Sequence, residues 1–261
     1  MQDIFCPLHL TGIAAGLTNA LGADAPLSAA PALEPLRTLC AGGVDRVLMY
    51  NPDAVAFWLF AKYTDLFLPV MQRTQLTLPL QTVMPSVTPV CFGTMYTGAL
   101  PEVHGIQSYT KPVIRTDSVF DALIRAGKKP CIVSTGNDSM SRIFLEREMD
   151  YYIVEDPDAA NAKAEELIAQ DQYDLLVVYN GNYDGTMHKF GPESPQALDV
   201  LRHNVHAFET LAQAVCTHWP AHRTLIGFAP DHGCHEIDGD CGSHGLYMPE
   251  DMNIIHFYGI V

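Results

Sequence analysis

Hydrophobic residues form short continuous runs that alternate with stretches of helical spacing. From residue 44 onward, the runs typical of strands are RVLMY (46–50), PCIVST (130–135), DLLVVYN (174–180) and TLIGFAP (224–230). Helical patterns lie between them, the longest being SPQALDVLRHNVHAFETLAQAVCTHW. Strands that lack polar alternation and are separated by helices indicate a parallel sheet covered on both faces. The pattern therefore predicts an α/β fold.

Composition adds a prediction of the domain count. The chain has 261 residues, of which 48% are hydrophobic and 17% charged, whereas about a quarter of an average soluble protein is charged. Such a chain favours one sizeable core. The only linker-like stretch spans residues 22–35, so we predict a single domain, 1–261, with a helical segment of about 1–43 before a core of 44–261. The seven cysteines lack disulfide-framework spacing, and most are expected to be reduced core thiols.

The charge balance argues against two classes of partner. Thirty acidic side chains against 15 basic ones give a formal net charge of −15, which repels duplex nucleic acid and anionic membranes. The longest wholly apolar run, AVAFWLFA, is far shorter than the roughly 20 residues of a membrane span. The N-terminus lacks the basic region of a secretory signal. We therefore expect a cytoplasmic protein that does not associate with membranes.

Carboxylates and imidazoles follow several of the predicted strands. In doubly wound sheets, ligands bind beyond the carboxyl ends of the strands. Mixed carboxylate and imidazole ligands suit zinc or manganese, and three of each would fill two sites. Taken singly, each residue is more often a helix cap or a satisfied polar group, so the prediction of metal binding depends on their joint placement. The candidates are Asp53, Asp184, His188, Asp231, His232 and His244.

Thr88 is a candidate nucleophile in the segment MPSVTPVCFGTMYTGALPEVHGI (84–106). Because Pro89 follows it, Thr88 is expected at a helix N-cap, where backbone N–H groups and the helix dipole favour a phosphoryl group. The alternative is that its hydroxyl only caps the helix.

Four motifs resemble, in order, those of the alkaline phosphatase superfamily. They are the Thr88 segment, YDGTMHKFGPES, DHG and GSHG, and they lie between about residue 46 and the C-terminus. The closest likeness is to the type I phosphodiesterase and nucleotide pyrophosphatase branch, which includes phosphonoacetate hydrolase. The resemblance implies a three-layer α/β/α sandwich with a mostly parallel sheet. It also implies a metal-dependent hydrolase of small phosphate esters, with diesters or nucleotide pyrophosphates ahead of monoesters.

The resemblance further implies the role of each residue. One divalent cation, zinc or manganese, would be held by Asp184, His188 and His244. The other would be held by Asp53, Asp231 and His232 together with the Thr88 oxygen, and Thr88 would form a phosphothreonine intermediate. The branch usually has Asp-Gly after its first strand, whereas this chain has Asn51-Pro52-Asp53-Ala54. Counting from the strand selects Asp53, with Asn51 as the alternative.

Two departures from the family pattern limit the prediction of specificity. Cys91 stands where the branch usually has an Asn that binds substrate, so Cys91 is either a weak substrate contact or a small apolar filler. Larger relatives often insert a cap domain before the last His, but only Gly233–Ser243 separate His232 from His244. The site is therefore expected to be open unless a homo-oligomer covers it. Alternative functions are a phosphomonoesterase, a phosphonate hydrolase, or a binding module that retains the fold without turnover.

Overall fold

The strands of the computed structural model, which describes residues 5–261, form one large sheet and one small hairpin. The large sheet has seven strands in the order β2-β9-β6-β1-β5-β3-β4, and β7 pairs with β8. The strands are β1 (Arg46–Pro52), β2 (Leu76–Gln81), β3 (Pro130–Thr135), β4 (Asp150–Val154), β5 (Leu175–Asn180), β6 (Thr224–Phe228), β7 (His235–Ile237), β8 (Cys241–Ser243) and β9 (Asn253–Ile260).

Twelve α-helices surround the sheet within the described residues. Asp156 and Ser194 cap two of the longest by accepting hydrogen bonds from backbone N–H groups of the first turn. Two 3-10 turns, Leu10–Gly12 and Thr64–Phe67, complete the helical elements. The helices are α1 (Ile13–Ala20), α2 (Glu34–Leu39), α3 (Phe57–Lys62), α4 (Leu68–Arg73), α5 (Thr88–Thr97), α6 (Pro101–His104), α7 (Val119–Arg125), α8 (Ser139–Ile143), α9 (Pro157–Gln170), α10 (Asn182–Phe190), α11 (Pro195–His218) and α12 (Pro249–Met252).

Alternate residues of the central strands are buried on opposite faces of the sheet. Val47 and Met49 of β1 pack with the core that α1, α5 and α7 cover. Leu48 and Tyr50 pack with the core under α3, α9 and α11. Both faces are therefore covered, which explains why the strands read as continuous apolar runs. The predicted three-layer α/β/α fold with a mostly parallel sheet is confirmed.

Three strands of the large sheet, and both strands of the β7–β8 hairpin, were not predicted from the sequence. Two of them, β2 and β9, pair antiparallel to each other, and β9 is also antiparallel to β6. Strand β2 contains Pro79, which lacks a donor for the sheet and is tolerated because β2 lies at an edge. The third, β4, forms the opposite edge and is only partly buried. The sheet is therefore parallel in its centre and antiparallel on the β2 side.

The N-terminal segment packs against the core. Helix α1 contacts α5 and α7 on one face of the sheet. Residues 1–4 of the predicted segment of about 1–43 lie outside the described residues, and the single-domain division stays a prediction. All seven cysteines are free thiols and four are buried, as expected. Among residues 5–261, no helix combines the length and apolar character needed to span a bilayer.

Candidate active site

The six candidate metal ligands come together at the carboxyl edge of the central strands. Asp53 follows β1, Asp184 lies in the first turn of α10 after β5, and Asp231 and His232 follow β6. Because β1 lies between β5 and β6 in the sheet, these residues arrive side by side. His244 joins them from the segment after β8. Among residues 5–261, the groups of three or more His, Cys, Asp or Glu side chains close enough to hold a cation are these two sets.

The first set consists of Asp184, His188 and His244, which we call the open group because solvent reaches it. Oδ1 of Asp184 lies 3.3 Å from Nε2 of each histidine, and the two Nε2 atoms lie 3.0 Å apart. Each Nδ1 lies 2.9 Å from a backbone carbonyl oxygen, that of Gly242 for His188 and that of Ser86 for His244. A carbonyl only accepts, so Nδ1 of each ring carries a proton, and Nε2 of each ring faces Asp184 and the other histidine.

The second set consists of Asp53, Asp231 and His232, which are fully buried and which we call the buried group. Nε2 of His232 lies 3.2 Å from Oδ1 of Asp53 and 3.5 Å from Oδ2 of Asp231. Its Nδ1 donates to the carbonyl oxygen of Gly233 at 2.9 Å. The ring centroids of His232 and His244 are 4.1 Å apart, so the two groups are neighbours.

The donor atoms of both groups suit divalent cations. Asp53 Oδ1, Asp184 Oδ1 and Asp231 Oδ2 are buried without a hydrogen-bond partner, and buried polar atoms are rarely left so. Burial and the neighbouring Asp53 raise the pKa of Asp231 well above its usual value. Burial alone would lower the pKa of His232, but Asp231 and Asp53 raise it to about 10. These shifts indicate a strongly negative site, and its oxygen and imidazole ligands fit zinc or manganese.

Thr88 lies next to the buried group, in a position that differs from the predicted helix cap. Helix α5 has Val87 at its N-cap, so Thr88 is its first residue and makes no capping hydrogen bond. Its hydroxyl instead donates to Asp53 Oδ2 at 3.3 Å and lies 3.4 Å from His232 Nε2. The N–H groups of Val90 and Cys91 donate to the Val87 carbonyl. The N-cap prediction is therefore wrong, because the hydroxyl is directed toward the ligands.

The backbone after β1 brings Asp53, rather than Asn51, to the site. Asn51 is engaged elsewhere: its amide donates to the Ala229 carbonyl at 2.6 Å and accepts from the Tyr96 hydroxyl at 2.6 Å. Ala54 adopts a left-handed φ of 63°, the conformation that glycine takes most readily. Its N–H donates to Asp231 Oδ1 at 3.3 Å. The chain therefore turns at Ala54, directly after Asp53.

Close backbone approaches fix the loops that carry the other ligands. A Cβ on Gly233 would lie 2.0 Å from the carbonyl oxygen of Glu250, so the glycine of the DHG motif is required by space. The buried carboxylate of Asp251 accepts from the Leu246 N–H at 2.8 Å and from the His235 ring at 2.7 Å. Asp251 therefore ties the β7–β8 hairpin to the segment that follows His244.

A cleft of about 500 Å³ opens beside both groups, and Asp53 and Asp184 are part of its wall. Lys111 is the single basic residue that lines it within residues 5–261, and its ammonium donates to the Asn137 carbonyl at 2.7 Å.

Cys91 does not line the cleft. Its thiol is fully buried and faces the Val83 carbonyl oxygen at 3.9 Å, a geometry that favours the alternative prediction of an apolar filler over a substrate contact.

Tyr179 is a residue of the site that sequence analysis missed. Its hydroxyl donates to Asp53 Oδ2 in a short hydrogen bond, and its side chain lines the cleft. Tyr179 lies inside β5, whereas the residues predicted for the site follow their strands. The one available signal was its place at the carboxyl end of a strand that leads to Asp184.

Comparisons with known proteins place the fold. No protein-family model and no curated protein sequence matches the chain. Among solved structures, murine ectonucleotide pyrophosphatase/phosphodiesterase 5 aligns over 74% of this chain and 58% of its own, with 19% identity and a TM-score of 0.61. The human protein gives the same coverage and TM-score at 18% identity.

This chain shares the fold of these nucleotide pyrophosphatase/phosphodiesterase structures. A further match is an inactive threonine-to-alanine variant of the murine enzyme in complex with AMP, which aligns over 75% of this chain and 59% of its own at 18% identity and a TM-score of 0.61. The chain thus spans less than two thirds of the length of these structures. The resemblance drawn from the motifs is confirmed at the level of the fold.

Proposed function

We propose that the protein is a two-metal hydrolase of phosphate esters, with Thr88 as the nucleophile. The observation that carries this proposal is the Thr88 hydroxyl, which lies 3.3 Å from Asp53 and 3.4 Å from His232 while making no helix cap. A threonine used only for capping would accept a hydrogen bond from its own helix. The structural likeness to nucleotide pyrophosphatase/phosphodiesterases supports the same assignment.

Each of the two groups supplies three ligands for one cation. Asp53, Asp231 and His232 would hold one cation beside Thr88, and Asp184, His188 and His244 would hold the second on the solvent side. When bound, the two cations neutralise the phosphoryl oxygens and lower the pKa of the groups that attack phosphorus. The Nδ1–H bonds of the three histidines to the carbonyls of Gly242, Ser86 and Gly233 fix the rings, so that each Nε2 faces its group.

Thr88 attacks phosphorus in line with the leaving oxygen. Its proton points to Asp53 Oδ2, which leaves a lone pair of Oγ1 free for the attack. As the bond from Oγ1 to phosphorus forms, the Thr88 proton passes to Asp53 Oδ2, the P–O bond to the leaving group breaks, and the leaving oxygen takes up a proton from solvent, which leaves a phosphothreonine. Water then attacks the same phosphorus and releases a proton to solvent, the bond to Thr88 breaks, and the proton held by Asp53 returns to the Thr88 oxygen.

The cleft supports a preference for diesters over monoesters. A phosphate diester carries one charge and a second organic group, whereas a monoester carries nearly two charges and is commonly met by an arginine. The cleft has about 500 Å³ for a second group and a single lysine, Lys111, among its residues. We therefore assign diesters, including pyrophosphate bonds of nucleotides, ahead of monoesters. An inactive variant of the murine relative was solved in complex with AMP, which is a product that hydrolysis of a nucleotide pyrophosphate bond would release.

Replacement of Thr88 tests the nucleophile. The protein would be loaded with Zn²⁺ or Mn²⁺ and assayed with bis(p-nitrophenyl) phosphate. Thr88→Ala should lower kcat by at least about 10³-fold, because no covalent intermediate can form. Thr88→Ser should retain part of the activity. Both variants should bind about two equivalents of cation, since the three protein ligands of each group remain.

Thr18→Ala is the matched control. The Thr18 hydroxyl is buried like that of Thr88, but it donates only to the carbonyls of Ala14 and Ala15 in its own helix. This variant should keep wild-type turnover. An active Thr88→Ala enzyme would show that water attacks directly. A wild-type protein that binds no cation and stays inactive after reconstitution would favour the binding module instead.

A further inference from the structure

The carboxylate of Asp53 has two oxygens in different environments. Oδ2 accepts the hydroxyls of both Tyr179 and Thr88. Oδ1 has no hydrogen-bond partner and lies 3.2 Å from His232 Nε2. A carboxylate free to rotate about its terminal bond would exchange these oxygens. The bond from Tyr179 opposes that rotation, so one oxygen is reserved for the buried group.

The Tyr179 ring is itself held in place by neighbouring residues. It packs edge-on against Phe92 of α5, with ring centroids 5.4 Å apart. A Cβ on Gly181 would lie 2.7 Å from the Tyr179 hydroxyl oxygen, so the absence of a side chain at Gly181 leaves room for the phenol. Tyr179 therefore links β5, the loop after β1 and the helix that begins with Thr88.

We propose that Tyr179 is a positioning residue that holds Asp53 with Oδ1 directed toward the cation of the buried group. The proposal rests on the proposed function, since it takes Asp53 to be a metal ligand. Groups that hydrogen-bond to a ligand orient it, and their loss typically weakens metal binding or activity 10- to 100-fold. Tyr179 touches neither phosphorus nor the leaving group in this assignment and acts only through Asp53.

The test is a cation titration of Tyr179→Phe, read by calorimetry with Zn²⁺. In wild-type protein the titration should show two equivalents. In an Asp184→Asn background, which disables the open group, the titration reports on the buried group alone. There, Tyr179→Phe should raise the Kd for Zn²⁺ by about 10- to 100-fold. With both groups intact, the variant should lower kcat at limiting Zn²⁺ and recover as Zn²⁺ is raised, with little change in KM.

Tyr173→Phe is the matched control. Tyr173 is also a buried phenol that donates to a carboxylate, Asp150, at 2.5 Å, but it lies at the amino end of β5, opposite to the end that carries the site. It should lose a similar amount of stability and keep the wild-type Kd for Zn²⁺. A general effect of losing a phenol would instead weaken binding equally in both variants, which would overturn the proposal.

Gly181→Ala gives a second route that keeps the phenol but displaces it. Gly181 has a φ of −91°, which alanine adopts without strain. Zn²⁺ binding to the buried group should also be weaker in this variant. If Tyr179→Phe does not fold, the Kd of Gly181→Ala for Zn²⁺ tests the role of Tyr179 in its place. Wild-type protein that binds fewer than two equivalents would refute the proposed function. Two equivalents in the wild type with an unchanged Kd in the folded variant would refute only the role of Tyr179.

Discussion

His256 donates from Nε2 to the carbonyl oxygen of Pro230 at 2.7 Å, directly before the ligands Asp231 and His232. Its Nδ1 lies 2.9 Å from the hydroxyl of Tyr258, which serves as the donor to the neutral ring. Both ring nitrogens are thus satisfied without a positive charge, and the side chain is fully buried. A neutral, buried histidine therefore supports the loop that carries two of the six candidate ligands, Asp231 and His232.

The free energy of unfolding should fall as the pH is lowered and His256 takes up a proton. Burial lowers its pKa from 6.5 to about 4. Between these values the unfolded chain binds the proton and the folded chain does not, so stability is complete above about pH 6.5 and is lost as pH falls toward 4. Protonation of His256 should therefore lower the free energy of unfolding by about 2 kcal/mol between pH 7.5 and pH 5.

Urea unfolding at the two pH values measures this contribution. Other groups titrate in the same range, so the relevant quantity is the difference between wild type and His256→Gln, which cannot take up the proton. The variant should be less stable at pH 7.5 but should lose about 2 kcal/mol less than wild type on going to pH 5. Parallel pH profiles for the two proteins would show that His256 does not carry the effect.

Removal of divalent cations should destabilise the protein and stop turnover together. Three carboxylates, those of Asp53, Asp184 and Asp231, each hold a buried oxygen without a partner, and a bound cation would satisfy them. A ligand at 100 times its Kd adds about 2.7 kcal/mol per site. Excess EDTA at neutral pH should lower Tm by several degrees, and added Zn²⁺ or Mn²⁺ should restore it. An unchanged Tm and unchanged esterase activity would contradict two-metal binding.

Diesters should be better substrates than monoesters. We expect kcat/KM for bis(p-nitrophenyl) phosphate to exceed that for p-nitrophenyl phosphate by at least about 10-fold, since Lys111 is the single cation that lines the cleft in the described residues. Lys111→Met should raise KM for the diester severalfold with little change in kcat. A strong monoester preference in the wild type would reverse the order of substrates that we assign.

Hydrolysis should proceed with net retention of configuration at phosphorus. Attack by Thr88 and then by water are two in-line displacements, and each inverts the centre. A chiral phosphorothioate diester hydrolysed in isotopically labelled water would report the outcome. Inversion would mean a single displacement by water and would leave Thr88 without a covalent role.

Strands β1, β3, β5 and β6 could be predicted because both faces of each are buried, whereas β9 was not predicted although it is buried in the same way. Strand β3 was predicted at its observed bounds, and β1, β5 and β6 within about two residues. The edge strands β2 and β4 were not predicted because each breaks the apolar pattern. Strand β2 contains Pro79, and β4 begins with the exposed Asp150. Edge strands pair on one side only, so their sequences carry less of the signal that burial imposes.

The candidate ligands could be predicted as a set because parallel strands bring their carboxyl ends to one edge. Chain position alone left Asp53 and Asn51 as alternatives, and the left-handed turn at Ala54 decides between them. The hydroxyls of Tyr179 and Thr88 meet on one oxygen of Asp53, a contact that depends on side-chain rotamers and on the space beside Gly181. Sequence spacing carries no information on such contacts.

The β7–β8 hairpin gives this fold a place where new chain can be added. Its base is fixed by Asp251, while its turn at Asp238–Asp240 is exposed and polar. The resembled family often inserts a cap domain in this interval. A segment grafted at the turn would leave in place the bonds from Asp251 to His235 and to Leu246, which lies just after His244. An insertion at this turn should therefore lengthen the hairpin while His244 keeps its position.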